Sequence, residues 1–228
     1  MSSIPLNLQA VRQRIESATR AAGRPAQSVR LLAVSKTFPP QAVREAAHAG
    51  LRDFCENYVQ EGVEKIRELA SLGLTWHYIG PIQSNKTRAI AEHFDWVHSI
   101  DRAKIAARLA QARAPGRAAL QVCIQVNVSG EASKSGVAPE EAAQLAKQVA
   151  GFPRLKLRGL MAVPEPTADP ALQRRRFAQL RELRDRMNRD GLAMDTLSMG
   201  MSADLEAAIA EGATMVRVGT AIFGERKA

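Results

Sequence analysis

Eight short apolar runs, each followed by a stretch of helical periodicity, recur along almost the whole chain. The runs cover 30–34, 53–55, 75–79, 96–98, 121–128, 156–161, 196–198 and 215–218. Short apolar runs without polar alternation suit strands buried on both faces, as in a parallel sheet. Between them lie segments such as "VQEGVEKIRELASLG", "DRAKIAARLAQARA" and "SADLEAAIAEG", several closed by glycine as a helix stop should be. A strand followed by a helix, eight times over with no linker between, predicts an α/β chain: a single (β/α)8 TIM barrel over residues 1–228. An extra amphipathic helix precedes it in "MSSIPLNLQAVRQRIESATRAAG". The rival, an open doubly wound sheet, lacks a GxGxxG after the first strand.

Such a barrel places its chemistry at the carboxyl ends of the strands. In "LLAVSKTFPP" the first strand ends at Val34, and Pro39 and Pro40 open the next helix, so Lys36 stands in the strand-to-helix turn. A lysine in a loop is most often a solvated side chain. Closure of the barrel, however, brings the last two loops beside it. In "LSMGMSADLEAAIAEG", Ser198 and Ser202 bracket Met199, Gly200 and Met201, and Ser202 is expected as the N-cap of a helix whose free N–H groups favour an anion. In "MVRVGTAIFGE", Arg217, Gly219 and Thr220 supply a guanidinium, a bare backbone and a hydroxyl. An amine at a partly desolvated, cationic site attacks carbonyls. The residues thus point to an imine-forming lysine beside a phosphate cradle, and do not choose between a sugar phosphate, as in a Schiff-base aldolase, and pyridoxal phosphate.

Composition narrows the alternatives. The net charge of +9 raises nucleic-acid binding, but seven arginines come from one segment, "QRRRFAQLRELRDRMNRDG". Phe177, Leu180, Leu183, Met187 and Leu192 recur there at helical spacing, which leaves the arginines a solvated face. With 4% aromatic residues the chain has few platforms for stacking bases. No run approaches the roughly 20 apolar residues of a membrane span, and a cytoplasmic setting is expected. Cys55 and Cys123 have no CxxC or histidine spacing and are expected as buried free thiols.

The segments "AVSKTFP", "FCENYVQE", "WHYIGPIQSNK", "VNVSGEASKSG", "RGLMAVP" and "LSMGMSADLEAAIAEGATMVRVGTAIFG" together resemble the pyridoxal-phosphate homeostasis protein family, in order and over nearly the whole chain. That family is itself similar to the barrel domain of the bacterial alanine racemases. Cys55 stands where the resemblance leads one to expect glycine, which concerns the packing of the second strand.

The resemblance implies pyridoxal 5'-phosphate held as a Schiff base on Lys36. Asn57 and Met161 would line the ring, although a core methionine is a competing account of Met161. Ser198, Gly219 and Thr220, with the backbone around Met199, Gly200 and Ser202, would hold the phosphate. Arg217 would donate to the phosphate or face the pyridine nitrogen. His77 and Lys86 are expected on the same rim, His77 either beside the ring or as a satisfied core histidine. Lys134 is either a second cation at the mouth or a solvated loop residue. The eight units run to Gly224, leaving no stretch for the additional β domain of the racemases. Racemisation needs an acid/base group on each face of its substrate, and Lys36 serves one; Tyr58 would be the candidate for the other. The expectation is a monomeric protein that buffers or delivers the cofactor, meeting apo enzymes transiently, with a racemase or aldolase as the alternative.

Overall fold

The structure, a computed structural model, describes residues 3–131 and 135–225. Eight parallel strands close into a barrel in sequential order: β1 (Arg30–Val34), β2 (Asp53–Glu56), β3 (Thr75–Tyr78), β4 (Trp96–Ile100), β5 (Leu120–Gln125), β6 (Leu155–Met161), β7 (Thr196–Ser198) and β8 (Met215–Val218). Helix α1 (Ile4–Ala21) precedes them. Each strand is then followed by its helix: α2 (Pro40–His48), α3 (Val59–Glu68), α4 (Thr87–His93), α5 (Ala103–Ala112), α6 (Pro139–Ala150), α7 (Pro170–Arg189), α8 (Leu205–Ala210) and α9 (Thr220–Phe223).

The strands match the sequence expectation closely. The exception is the end of β5: the ladder stops at Gln125, and Val126 instead makes an isolated bridge to Val137. Closure is completed by β1 against β8, with Leu32 opposite Arg217 and Ala33 opposite Val218.

Outward-facing strand residues and the inner faces of the helices form one apolar layer, from Leu8 and Val11 of α1 round to Val216 and Ile222. On α7 the buried residues are Phe177, Leu180, Leu183 and Met187, as the spacing requires. Arginines of that helix pair with carboxylates, Arg176 with Glu165 and Arg174 with the buried Glu211. Inside the barrel lies a separate cluster of Leu32, Cys55, Trp96, Cys123, Met161 and Met215. Both thiols are fully buried there; desolvation pushes Cys123 up to about 12 and Cys55 further still.

Two local features let the barrel close. Between β5 and β6 the register slips so that Arg158 becomes an extra residue. It sits 4.9 Å from the Trp96 ring and donates to Gln121 and Asp195 at the amino-terminal pole. Next to it, a Cβ on Gly159 would stand 1.8 Å from the Thr196 carbonyl oxygen, so only glycine permits this approach of β6 to β7.

Candidate functional site

The turn after β1 is held from below by buried charge. Ser35 N–H donates to the Cys55 carbonyl at 3.0 Å and its hydroxyl to Glu56 Oε1 at 2.6 Å. Lys65 of α3, almost fully buried, spends its three donors on the Ser35 carbonyl (2.7 Å), Glu56 Oε1 (2.8 Å) and Glu61 Oε1 (2.6 Å). Glu61 also accepts from Thr37 N–H at 2.6 Å. Thr37 has φ of 68°, a left-handed conformation that costs a branched residue free energy and persists only where its surroundings fix it. Burial raises the Glu56 pKa, opposed by the Lys65 ammonium. Lys36, half-buried, is thereby set between two anchored neighbours at the mouth. Sequence reasoning missed this cluster. The i,i+4 pair Glu61 and Lys65 was legible on α3, but nothing in the spacing says that it is buried.

Beneath the mouth a single file of hydrogen bonds crosses the barrel interior. Arg217 is buried, donating from Nη2 to the Ala162 carbonyl (2.8 Å) and from Nη1 to Ser198 Oγ (2.6 Å). Ser198 Oγ lies 2.8 Å from His98 Nδ1, His98 Nε2 lies 2.9 Å from His77 Nδ1, and His77 Nε2 lies 3.1 Å from Asp53 Oδ1. One proton arrangement satisfies every member: Ser198 donates to His98, His98 to His77 and His77 to Asp53, with both imidazoles neutral and protonated at Nε2. Desolvation lowers both histidine pKa values, His98 well below 6.5, which agrees with neutral rings.

Of the two accounts of His77 the structure matches the satisfied core histidine: it is not on the rim but fully buried one position before the end of β3, with both nitrogens occupied and its ring stacked on Trp96. Ser198 points into the barrel, where its hydroxyl accepts from Arg217 and lies within hydrogen-bond distance of His98. Strand alternation is the reason, because Ser198 faces inward and Met199 outward into the helix layer.

The loops after β7 and β8 hold the other residues expected around a phosphate. Gly200 has φ of 94°, its carbonyl accepts from Arg217 N–H, and a Cβ there would stand 2.6 Å from Ala208 Cβ. Ser202 is not a helix cap. It lies in the turn before α8, whose N-cap is Asp204, and Asp204 Oδ1 accepts from Met201 N–H at 2.6 Å. Gly219 opens α9, and a Cβ on it would be 3.2 Å from the Val34 carbonyl, so this loop abuts the end of β1. Thr220 is exposed beside it.

Across the mouth, Asn57 carries a buried side-chain oxygen with no hydrogen-bond partner among the described residues. Its backbone is pinned by the Tyr78 hydroxyl and by Gly80, where a Cβ would meet the Asn57 carbonyl at 2.2 Å. Met161 is fully buried in the interior cluster. Lys86 ends a short 3-10 turn, Ser84–Lys86. Lys134 lies outside the described residues. Among the described residues no group of three metal-ligating side chains forms, and no helix is long and apolar enough to cross a membrane.

Residues 6–227 match the family described as alanine racemase, N-terminal domain. The chain belongs to that family. Among curated relatives, the pyridoxal phosphate homeostasis protein of Pseudomonas aeruginosa is 63% identical over 226 residues, 99% of this chain and 97% of that protein. The protein of the same name from Vibrio cholerae is 55% identical, over 99% and 98% of the two chains. Among solved structures, PipY of Synechococcus elongatus with PLP bound superposes with a TM-score of 0.85 at 37% identity, covering 97% of this chain and all of that one. Alanine racemase from Corynebacterium glutamicum has a TM-score of 0.70 at 17% identity and shares the fold, over 97% of this chain and 62% of its own. Within this racemase-like family, the barrel described above is thus the part held in common.

Proposed function

We propose that this chain holds pyridoxal 5'-phosphate as a Schiff base on Lys36 and serves the homeostasis of that cofactor rather than its use in turnover. The observation that carries the reading is the position of Lys36: on a turn locked by buried charge, just past the end of the strand that the Gly219 loop abuts and that pairs with the strand of the buried Arg217. Its relatives' names and the PLP-bound PipY structure support the same reading.

The residues fit the group. The unpartnered Asn57 oxygen awaits a donor, and Gly200 and Gly219 let their turns pack closely against Ala208 and Val34, which brings the β7 and β8 loops to the end of β1. When bound, the cofactor supplies an aldehyde carbon open to an amine and a phosphate dianion. Lys36 provides the amine. The backbone of 199–202, Gly219 and the Thr220 hydroxyl would hold the phosphate, and Met161 would support the ring from the interior. Arg217, turned toward the ends of β6 and β7 by Ala162 and Ser198, would donate to the phosphate or face the ring nitrogen; in the second place it would disfavour a proton there and weaken the ring as an electron sink.

One-sidedness supports a storage or delivery role, because Lys36 acts from one face of the bound group and racemisation needs an acid/base group on each. The chain is expected to act as a monomer and to meet apo pyridoxal-phosphate enzymes transiently. Borohydride reduction of the loaded protein followed by peptide mapping tests the assignment. The reduced adduct is expected on Lys36, and an adduct elsewhere, or none, overturns it.

A further inference from the structure

The pole opposite the mouth holds a cleft of about 790 Å³. It lies between α1, the connection from α1 to β1, and the first residues of β1 and β2. Ile15, Val29, Leu31 and Leu51 give it an apolar wall. Arg12, Arg20, Arg24, Arg30 and Arg52 line it, against two carboxylates, Glu16 and Asp53. Glu16 pairs with Arg20 at 3.2 Å and Asp53 with Arg30 at 3.5 Å.

The other three guanidiniums reach backbone carbonyls: Arg12 that of Ala49, Arg24 those of Ile209 and Ser28, and Arg52 those of Ala47 and Leu51. Among the described residues none of the three has a carboxylate partner. Burial and then the neighbouring Arg184 lower the Arg24 pKa, a sign of cations held together. Three positive charges in excess of the carboxylates, in a concave cleft with room for an organic body, form a site for an anion. Guanidinium forks match phosphate oxygens.

We propose that this cleft is a second anion site, for a small molecule with two or more phosphate groups, and that Asp53 couples it to the mouth. Asp53 lines the cleft and is also the last member of the file that runs through His77, His98 and Ser198 to Arg217. A phosphate that draws Arg30 away leaves Asp53 to His77 alone, and the change is carried by buried, fully occupied groups to the guanidinium under the mouth. The coupling rests on the proposed function; the site does not.

Inorganic pyrophosphate is the probe. Calorimetric titration is expected to give one equivalent bound at the cleft, both in the unloaded chain and in the borohydride-fixed, loaded chain whose mouth is filled. Arg12→Gln/Arg52→Gln should weaken this by about tenfold or more, while the exposed control Arg88→Gln leaves it unchanged. Binding that vanishes in the loaded chain, or that survives the double substitution, overturns the site; so does equal competition by a short DNA duplex, which would mark a nucleic-acid surface. For the coupling, pyrophosphate should shift the affinity for pyridoxal 5'-phosphate in the native chain, and the shift should shrink in Asp53→Asn, whose pyrophosphate binding is measured alongside. A shift of unchanged size in Asp53→Asn overturns the coupling. Should the unloaded chain take no pyridoxal 5'-phosphate at all, the proposed function fails while the pyrophosphate titration still judges the site.

Discussion

At the scale of single residues the chain separates an exposed chemistry from a buried one. Lys36→Ala should remove the visible absorption of the loaded protein, while the loops of Gly200 and Gly219 still retain cofactor weakly through its phosphate; absorbance with equilibrium dialysis checks both. The buried residues make a pH prediction. His77 and His98 are held below the ordinary 6.5 by burial, whereas the unfolded chain binds their protons near that value. Between the folded and unfolded values the unfolded chain binds more protons, so this stability is fully present above about pH 6.5 and is lost as pH falls below it. The limiting slope is about 1.4 kcal/mol per pH unit for each imidazole. Urea midpoints from pH 7.5 to 5 should show it, and His98→Leu should flatten it; an unchanged slope in that variant would show that other groups titrate instead.

Among elements, α3 does more than cover a strand. It delivers Lys65 and Glu61 to the underside of the β1 turn. Lys65→Met should therefore cost about 3 to 5 kcal/mol in urea unfolding, because Glu56 is left buried and charged without its cation. Adding Glu56→Gln should recover part of that loss. A cost under about 1 kcal/mol for Lys65→Met would show that the cluster is not what fixes the turn. The strands themselves were legible in the sequence, since burial on both faces leaves an apolar run with nothing to disguise it. The buried file was not. Its members meet across sequence separations of 24, 21, 100 and 19 residues, and their meeting depends on which way each strand turns its side chains once the barrel has closed. The start of α8 was misread for a smaller reason: Ser202 and Asp204 are both good caps, and only the backbone decides for Asp204. The turn after β1 was legible as the place of Lys36, but of the charges beneath it Glu56 ends β2 and Glu61 and Lys65 read as an ordinary exposed pair on α3.

For the whole molecule, the barrel places an amine at one mouth and a buried cation beneath it. Tyr58, 57% exposed at the start of α3, is the visible candidate for an opposing acid or base. Incubation of the loaded protein with single-enantiomer alanine should give no racemisation in the range of about 1 to 1,000 per second that enzymes reach, while mixing it with an apo pyridoxal-phosphate enzyme should restore that enzyme's activity. Turnover in that range, abolished by Tyr58→Phe, would overturn the carrier reading. The closed interior has another use. Cys55 and Cys123 face inward, and alkylating reagents need a solvated thiolate. Movements of the mouth loops leave both sulfurs covered, so the rate at which an alkylating reagent consumes them in native conditions should track rupture of the strand ladder itself. The chain thus carries two natural reporters of how often its barrel comes apart, readable by mass without adding any label site.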